Sequence, residues 1–485
     1  MYQTVSRRYD ASNASPDLPT RVPMSRMEKY FHLFAMVTQF GGVLPLYITL
    51  TGQDVGIGDS APINTVTMAA ILAVSTVMGI RYRDNIIRAI PGMTPVLLFL
   101  ALAIASAIWS DYPGISLRRS GTAITTALWG AYLASRFGLR DVIVLIAESI
   151  FIIAVGSMLL GLTFHETAID LVNVNGPDST IGWRGILDGK NTLGIVMATG
   201  MSTMTYLIIS PGTRSRDKVL WIIGILLCAA LLYLSQSRTS WVAGMVGVIV
   251  CVVARGMYRR PAITTVVMAW LVLLGVPLAL FILNDLSTLT SLIGKDATLT
   301  GRVDLWQIVL PYGDKRPWLG YGYSAFWHED SPRTQEIWRI LNSYKPPHAH
   351  NGWIETYLEL GWLGCIVVAI QMLQMLISAA RATAQGRDVD APYMLLIVVM
   401  MLIFNMVEAD LIRAPALFWP FLIIGPVAMT KAMRQAPRAA LTKFDPRARF
   451  APAPTPFLTP RLNLAAPPPL KLRPGPLRPF PLAGH

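Results

Sequence analysis

The sequence predicts an all-α polytopic membrane protein, and two observations carry that fold class. Of the 485 residues, 53% are hydrophobic and only 14% are charged, whereas a soluble domain carries about 25% charged residues. Runs of about 20 apolar residues, long enough to cross a hydrocarbon core, recur along most of the chain. Since lipid offers backbone amides no hydrogen-bond partners, each run is expected to be a helix.

Twelve apolar runs can be marked as transmembrane helices. They cover about residues 32–50, 62–80, 94–109, 120–135, 142–162, 191–210, 218–234, 240–255, 262–283, 353–378, 391–407 and 414–431. The runs divide the chain into an N-terminal tail (1–31), helices 1–9 (32–283), one large loop (284–350), helices 10–12 (351–432) and a Pro-rich basic tail (433–485). The three cysteines fall inside apolar runs, where we expect them to pack as small hydrophobic side chains.

The placement of charge fixes the expected orientation. The chain has 41 Lys and Arg against 28 Asp and Glu, a formal net charge of +13. Much of the positive charge lies in the two tails and in alternate short loops, and positive charge beside membrane helices marks the cytoplasmic side. With twelve helices, both termini and all of these loops fall on that side. The charge therefore indicates topology, and we expect no nucleic-acid partner.

Several arginines fall on the opposite, outer face, where this charge rule disfavours them. Arg184 stands in GWRGILDGKN, Arg238 in the short turn SQSRTSW, and Arg302 in TGRVDLW within the large loop. A planar guanidinium matches the oxygens of a phosphate group in a bidentate manner. These arginines suggest an anionic lipid headgroup as ligand; the alternative is that they are solvated loop charges.

Two of the six histidines stand directly before the tenth predicted helix. Residues 347–364 read PHAHNGWIETYLELGWLG, with His348 and His350 at the membrane boundary. A histidine there can take a proton near neutral pH, or it can be an ordinary interfacial hydrogen-bonding residue. The pair could also be read as metal ligands, but no clustered Cys or carboxylate set accompanies it, so we expect no metal. Gly361 and Gly364, three residues apart, predict a groove for close helix approach.

Three further features need an explanation. TGRVDLWQIVLPY predicts an amphipathic helix with Val303, Trp306 and Val309–Leu310 on one side. LGYGYSAFW reads as a turn or surface pad of aromatic rings at the membrane interface. Glu148 is an ionisable residue inside the fifth run; a buried hydrogen bond or partial snorkelling would explain it, or else a proton path such as a transporter needs.

These motifs together resemble the O-antigen ligase superfamily, which includes the ligases and the related O-antigen and exopolysaccharide polymerases. The resemblance is carried by WSDYPGISLRRS (109–120), GWRGILDGKNTLG (182–194), SQSRTSW (235–241), TGRVDLW (300–306), RPWLGYGYSAFW (316–327) and HAHNGWIETYLELGWLG (348–364). The most specific pattern is His350-Asn351, nine residues, then Gly361-x-x-Gly364. NMVEADLIR and PALFWP look more like the exopolysaccharide-production (succinoglycan-type) polymerase branch than like a lipid A-core ligase.

The resemblance implies a glycosyltransferase C-like membrane enzyme of the bacterial inner membrane that needs no metal and no cofactor. It implies a donor saccharide linked through pyrophosphate to a polyprenol such as undecaprenol, and a saccharide acceptor, meeting at the periplasmic face. It also implies His350 as the general base and Arg184, Arg238 and Arg302 as pyrophosphate-binding residues. Membrane lipids, a chain-length regulator and export proteins are further expected partners.

Other polar residues are candidates for supporting roles in the same site. They are His348, Asn351, Arg119, Lys190, Glu408, Asp410 and Arg413. For Glu408 and Asp410, pairing with Arg413 is the expected role, and orienting sugar hydroxyls is the alternative.

Three functions stay open at this point. A polymerase that joins lipid-linked repeat units of an exopolysaccharide is the leading hypothesis. A ligase that moves lipid-linked glycan to lipid A-core or another acceptor would use nearly the same residues. A flippase or transporter of lipid-linked oligosaccharide predicts functional charges or broken helices near the midplane, whereas the conspicuous polar residues here gather at the outer face.

Overall fold

Helices form almost all of the regular structure in this computed structural model, as the apolar runs predict. It describes residues 24–42, 51, 62–170, 181–211, 213–256, 260, 263, 266, 302–342, 344–386 and 388–434. The helices within these ranges are α1 Arg26–Gln39, α2 Pro62–Arg81, α3 Arg83–Ala105, α4 Pro113–Arg136, α5 Leu139–Thr163, α6 Lys190–Ile209, α7 Ser215–Ser235, α8 Arg238–Gly256, α9 Arg302–Gly313, α10 Pro332–Ile340, α11 Gly352–Ala384, α12 Ala391–Asn405 and α13 Trp419–Arg434. Two short strands, β1 Ile169–Asp170 and β2 Gly182–Trp183, pair antiparallel.

Six helices are long and apolar enough to cross a membrane, which supports a polytopic all-α membrane protein. They are Pro62–Arg81, Arg83–Ile108, Leu139–Thr163, Lys190–Ile209, Ser215–Ser235 and Gly352–Ala384. Two more apolar helices, Arg238–Val253 and Ala391–Asn405, are shorter. Nearly all of the predicted run 262–283 lies outside the described residues, as do loop residues 284–301 and the tail from 435 onward. The count of twelve and the extent of the large loop stay predictions.

The start of α3 differs most from its apolar run. The run predicts a helix from about residue 94, but α3 begins at Arg83 and contains both Pro91 and Pro95. An apolar window detects only the part of a helix that suits lipid, and a helix continues beyond it where its side chains find other partners. At Gly92, α3 packs so closely on α13 that a Cβ would lie 3.0 Å from the Pro426 carbonyl oxygen.

Helix α11 is broken at Gly361, which has φ 63° and ψ −163°. The loop at residues 317–322 docks at this break: the Trp362 amide donates to the Pro317 carbonyl (2.7 Å) and the Gly322 amide to the Glu359 carbonyl (2.8 Å). A Cβ on Gly361 would overlap the Trp318 carbonyl group. The expectation that Gly361 opens a groove for a neighbouring helix is therefore wrong, because this glycine receives a loop backbone and needs a positive φ.

The large loop folds into helices and a buried aromatic cluster rather than a surface pad. Tyr321, Tyr323, Phe326 and Trp327 are all buried, whereas Leu319 at the start of the segment and Trp318 just before it are exposed. The amphipathic helix of this loop is confirmed as α9, but its predicted face is wrong. Leu305 and Val309 are buried, whereas Val303 and Leu310 are exposed, because the stripe at i, i+4 is the one that packs towards α11.

A polar cluster lies at the C-terminal end of α4, where α1 packs against α4 and α5. Glu28 caps α1 together with Ser25 and accepts a hydrogen bond from the Tyr132 hydroxyl at 3.1 Å. His32 Nδ1 accepts a hydrogen bond from the Trp129 indole N–H at 3.1 Å. Glu148 forms a 2.6 Å ion pair with Lys29, so a salt bridge accounts for this charge. We refer to these six residues, Glu28, Lys29, His32, Trp129, Tyr132 and Glu148, as the α1 cluster.

All three cysteines lie within the described residues and are unpaired. Cys228 and Cys251 are fully buried in the main hydrophobic core, as small apolar side chains are. The expectation for these two residues is confirmed.

Candidate active site around His350 and Glu408

The start of α11 packs against the end of α12, and this brings His350 to Glu408 across 58 residues of sequence. Gly352 makes the close approach possible, since a Cβ there would lie 2.6 Å from Asn405 Oδ1. Asn351 caps α11 by accepting from the Trp353 and Ile354 amides, and its amide nitrogen donates to the Met406 carbonyl at 3.3 Å. One asparagine thus ties the residue after His350 to the segment that carries Glu408.

The His350 ring is held by Glu408 on one side. Its Nδ1 lies 3.2 Å from Glu408 Oε2 and 3.4 Å from Oε1. A carboxylate only accepts hydrogen bonds, so Nδ1 carries the proton of the neutral ring and Nε2 keeps its lone pair. This is the tautomer that a general base needs, with an acidic partner fixing its orientation.

Glu408 is the centre of the site and uses both of its oxygens. Oε1 accepts from Asn191 Nδ2 at 2.7 Å and from Arg302 Nη2 at 3.2 Å, while Oε2 faces the histidines. Asn191, Arg302 and His350 stand at or next to the first residues of α6, α9 and α11. Three helices therefore begin beside one carboxylate, where their positive dipole ends favour an anion.

The ionisation of Glu408 follows from these neighbours. Burial works to raise its pKa, but the hydrogen bond and charge of His350, with His348 and Arg302, hold the pKa well below its usual range. The side chain is only 7% exposed, so these contacts are weakly screened. Glu408 is therefore a carboxylate under any condition in which the protein works.

His348 lies against His350 with ring centroids 4.3 Å apart. Its Nδ1 accepts the His350 backbone N–H at 3.2 Å, so its proton sits on Nε2, which points to Glu408 Oε2 at 3.7 Å. Burial and the neighbouring His350 lower the pKa of His348 well below its usual value. His348 is thus a neutral support for the backbone of the predicted base.

His348, His350 and Glu408 form a possible metal-ligand set, with one donor atom from each lying within 4.8 Å of the others. The sequence-based expectation that no carboxylate accompanies the histidines is therefore wrong. The hydrogen bonds nevertheless suit a metal poorly. Both nitrogens that face Glu408 carry protons in this arrangement, and a ligating imidazole nitrogen must be unprotonated; Arg302 also already neutralises Glu408.

Tyr344 lies beside the His350 ring on the side away from Glu408. Its hydroxyl lies 3.4 Å from His350 Nε2. Both Tyr344 and His350 are half-buried.

The three arginines predicted to bind pyrophosphate have different surroundings. Arg302 contacts Glu408 and belongs to the site directly. Arg184 follows β2, and its Nε donates to the Thr167 carbonyl at 3.0 Å. Arg238 is exposed at the first residue of α8. Within the described part of the chain, no hydrogen bond or ion pair joins Arg184 or Arg238 to His350 or Glu408.

Packing nevertheless places the segments of Arg184 and Arg238 next to each other. A Cβ on Gly182, two residues before Arg184, would overlap the Ser235 carbonyl. Gly194 on α6 meets the start of α8, where a Cβ would lie 2.6 Å from Ser240 Oγ. Because α6 also carries Asn191, its first turns connect these two arginines to Glu408.

The remaining candidate residues divide between site and scaffold. Arg413 pairs with Asp188 at 3.2 Å and Glu408 pairs with Arg302, so the expected Glu408–Arg413 ion pair is wrong. Burial raises the pKa of Asp410 to about 7, with Arg413 opposing and the nearby Glu408 and Asp188 adding to the effect. Lys190, the first residue of α6, is buried and its amide donates to Asp170 Oδ2 at 2.9 Å.

Arg119 lies on the first turns of α4, half-buried, and has Arg413, Tyr323 and Glu359 among its electrostatic neighbours. It belongs to the same end of the molecule as Glu408. Nothing here assigns it a ligand, so its supporting role stays a prediction.

Sequence reasoning missed Asn191, Tyr344 and the role of Glu408 as partner of His350. Each is a common polar residue whose importance depends on a contact across many residues of sequence. Glu408 alone carried a signal, since it is one of two carboxylates in the short segment NMVEADLIR at the end of α12.

Comparison with known proteins finds two similarities. Residues 223–369 match the O-antigen ligase family, a segment that contains Arg238, Arg302 and both histidines of the site. The chain is also similar to the exopolysaccharide production protein ExoQ of Rhizobium meliloti (strain 1021), with 25% identity over 328 residues, 65% of this chain and 72% of that protein.

These matches confirm the resemblance read from the motifs. Both matches support the O-antigen ligase and polymerase superfamily. The similarity to ExoQ favours its exopolysaccharide production branch.

Proposed function

We propose that this protein polymerises the polyprenyl-pyrophosphate-linked repeat units of an exopolysaccharide at the periplasmic face of the inner membrane. The reaction is a glycosyl transfer to a hydroxyl of an acceptor saccharide. The observation that carries the proposal is the His350–Glu408 pair, which leaves Nε2 of a partly exposed histidine as the proton acceptor.

The chemical step follows from that pair. The acceptor hydroxyl gives its proton to His350 Nε2 while its oxygen forms a bond to the anomeric carbon of the donor. The bond from that carbon to the pyrophosphate oxygen breaks, and the pyrophosphate leaves with the electron pair. Attack opposite the leaving group inverts the anomeric centre, and Glu408 stabilises the imidazolium that forms. General base catalysis of this kind contributes about 10²–10⁴-fold to a rate.

Departure of a pyrophosphate requires positive charge rather than an acid. Arg302 uses one nitrogen for Glu408, and its five N–H donors allow the same guanidinium to take a phosphate oxygen. Arg184 and Arg238 stand on the neighbouring segments around the starts of α6 and α8, where helix N-termini add their own N–H donors. Together they would hold the pyrophosphate without a metal ion.

The choice of polymerase over ligase rests on the relative, which is named for exopolysaccharide production. The matched family is described as O-antigen ligase, so a ligase that transfers lipid-linked glycan to lipid A-core or another acceptor is the second candidate. The two reactions share a donor and a mechanism and differ in the acceptor.

A transporter of lipid-linked oligosaccharide is disfavoured by two observations. Glu148, the ionisable residue inside α5, is paired with Lys29. The break in α11 at Gly361 leaves residues 362–384, about 34 Å of helix by rise, on its far side. That length suffices to cross the membrane alone, so the break belongs to the outer end and not to the midplane.

The experiment compares glycans from cells that make either the wild-type protein or His350→Ala at matched membrane abundance. Glycan length and the attached lipid are read together by mass spectrometry of the lipid-linked fraction. Single repeat units left on the carrier by the variant, against long chains in wild type, are the expected result. Long chains stranded on the carrier would instead indicate a ligase, and polymer of unchanged length and amount would refute His350 as the base.

A further inference from the structure

The turn that carries His350 has an uncommon backbone conformation. His350 has φ 50°, in the left-handed region, which is unfavourable for a non-glycine residue. Such strain persists only where the surrounding contacts determine the conformation. The contacts of the preceding residue, Ala349, therefore decide where the His350 ring points.

Both backbone groups of Ala349 are fixed by side chains. Its carbonyl accepts from the Trp306 indole N–H at 2.8 Å, and its amide donates to Glu355 Oε2 at 2.8 Å. Ala349 is fully buried, so water cannot replace either partner. Trp306 comes from α9, whereas Glu355 lies one turn into α11, next to the turn it holds.

Glu355 is an unusual residue for such a place. Its side chain is nearly buried, at 6% exposure, and within the described part of the chain it forms no ion pair. Oε2 also accepts from the Trp327 indole N–H at 3.1 Å. Burying a carboxyl group without a counter-ion is costly, and a nonpolar side chain would serve packing at least as well.

A second carboxyl group, that of Glu359, lies one turn further along α11 and is an electrostatic neighbour of Glu355. Glu359 Oε2 accepts from the Ser324 amide at 2.8 Å. The pair thus connects the His350 turn to the aromatic segment that contains Ser324 and Trp327.

We propose that Glu355 is a positioning residue for His350, holding the Ala349–His350 turn so that Nδ1 meets Glu408 and Nε2 faces the acceptor. Glu355 contacts the backbone of the turn and not the imidazole ring, so it neither gives nor takes the proton of the reaction. The proposal rests on the proposed role of His350 as base. It adds that His350 is positioned by an oxygen atom of the Glu355 side chain, which must be at the right distance from the Ala349 amide. The charge of that side chain is not required.

Two substitutions separate the effect of the length of the Glu355 side chain from the effect of its charge. Glu355→Gln removes the charge but keeps a carbonyl oxygen at the same distance for the Ala349 amide, and its NH₂ can donate to Glu359. Glu355→Asp keeps the charge but is one methylene shorter and cannot span the same gap. Glu336→Gln is the matched control, because Glu336 is an exposed glutamate on α10 whose one hydrogen bond among the described residues comes from the Tyr312 hydroxyl.

The assay measures glycosyl transfer by the whole protein in proteoliposomes. The substrate is the lipid-linked saccharide that accumulates in cells that lack this protein. A misplacement of about 1 Å at a catalytic group can cost about 10²-fold in rate. We expect Glu355→Asp to lower kcat by about 30- to 100-fold with the KM for the lipid-linked donor within about 3-fold. Glu355→Gln and Glu336→Gln should both stay within about 5-fold of the wild-type kcat.

A further variant removes the other hydrogen bond that Glu355 Oε2 accepts, the one from Trp327. Trp327→Phe removes one donor to Oε2 and leaves the bond between Ala349 and Glu355 in place, so kcat should change by less than about 3-fold. A loss as large as that of Glu355→Asp would overturn the proposal.

The outcomes also separate this proposal from the proposed function. If His350→Ala retains transfer activity, the assignment of the base fails, and the positioning role fails with it. If His350→Ala is inactive while Glu355→Asp keeps the wild-type kcat, only the positioning role fails. An active Glu355→Asp together with an inactive Glu355→Gln would show that charge matters instead of reach, and would also contradict it.

Discussion

Two clusters in this molecule are built from the same residue types and differ in what they leave accessible. The α1 cluster contains His32 with Glu28 and Glu148. The His350 cluster, which consists of His348, His350, Glu408 and Arg302, also combines histidine with glutamate. His32 accepts at Nδ1 from Trp129, so its proton sits on Nε2, which is buried without a hydrogen-bond partner among the described residues. His350 donates from Nδ1 to Glu408 and keeps its lone pair on Nε2, which faces the Tyr344 hydroxyl.

The difference teaches which property makes a histidine suitable as a base. An indole N–H partner consumes the lone pair, whereas a carboxylate partner fixes the proton and leaves the lone pair available. His32 is fully buried and so cannot meet a substrate. Residue type and a nearby glutamate do not separate the two histidines; the direction of one hydrogen bond does.

The largest effect that sharpens this comparison is expected from Glu408→Gln. An amide can present its NH₂ to His350 and so favour the wrong tautomer, and it cannot stabilise an imidazolium. We expect kcat to fall by about 10²–10⁴-fold. Glu28→Gln in the α1 cluster should leave kcat within about 2-fold and cost at most about 1 kcal/mol of stability through its lost ion pair with Arg136, since glutamine keeps the capping bond. Transfer rates and unfolding midpoints are measured for both purified variants. An equal loss of transfer rate in Glu408→Gln and Glu28→Gln would contradict the distinction between the two clusters.

The next effect concerns the loop that docks at the α11 break, a feature that the α1 cluster lacks. Gly361 and Gly386 both have positive φ, but a Cβ overlaps the Trp318 carbonyl at Gly361 and meets nothing within 4 Å at Gly386. Gly361→Ala should therefore cost more than about 3 kcal/mol, against about 1–2 kcal/mol for Gly386→Ala. Thermal unfolding of both variants in detergent measures the gap. Similar midpoints would show that the loop yields easily.

A smaller effect, visible only as a pH dependence, is expected at Asp410. Burial raises its pKa to about 7, compared with about 4 in an unfolded chain. Between these values the folded protein holds a proton that the unfolded chain has lost, so stability falls as pH rises through this window and the loss is complete above it. Asp410→Asn should remove this slope. The unfolding midpoints of wild type and Asp410→Asn are measured at pH 5 and pH 8. If stability fell equally with pH in both proteins, another group than Asp410 would be responsible.

The smallest effect is expected from Tyr344→Phe. Its hydroxyl is 3.4 Å from Nε2, a long contact that an incoming acceptor must displace. Removing it should lower the acceptor KM by up to about 3-fold and leave kcat unchanged. If the variant instead turned over at least about tenfold more slowly at saturating acceptor, the Tyr344 hydroxyl would be carrying the proton itself.

Local patterns predicted the helices and pointed to His350 as the proposed base, because both depend on short stretches of the sequence. The run at 142–162 became α5, Leu139–Thr163, since an apolar stretch of that length has few alternatives to a helix. His350 was found from a motif contained within 15 residues. The break at Gly361 was misread because a pair of glycines three apart fits both close helix packing and a positive-φ turn, and only the docked loop distinguishes them.

Long-range contacts explain what the sequence did not predict. Glu408 was expected to pair with Arg413, five residues away, but the folded chain gives it Asn191, Arg302 and His350 instead. Aromatic rings in RPWLGYGYSAFW were expected at the surface because tyrosine and tryptophan suit an interface. Apart from Trp318 they are buried, because the loop folds back onto α11, which no periodicity in the loop reveals.

The most direct test of the account places the same substitution in both clusters. Transfer from the lipid-linked donor is measured for wild type, His350→Gln and His32→Gln, each purified and matched for folded protein. The account predicts that His350→Gln loses about 10³-fold in kcat while His32→Gln stays within about 3-fold of wild type. Equal rates for the two variants would contradict the claim that His350, by the direction of its hydrogen bond to Glu408, is the base.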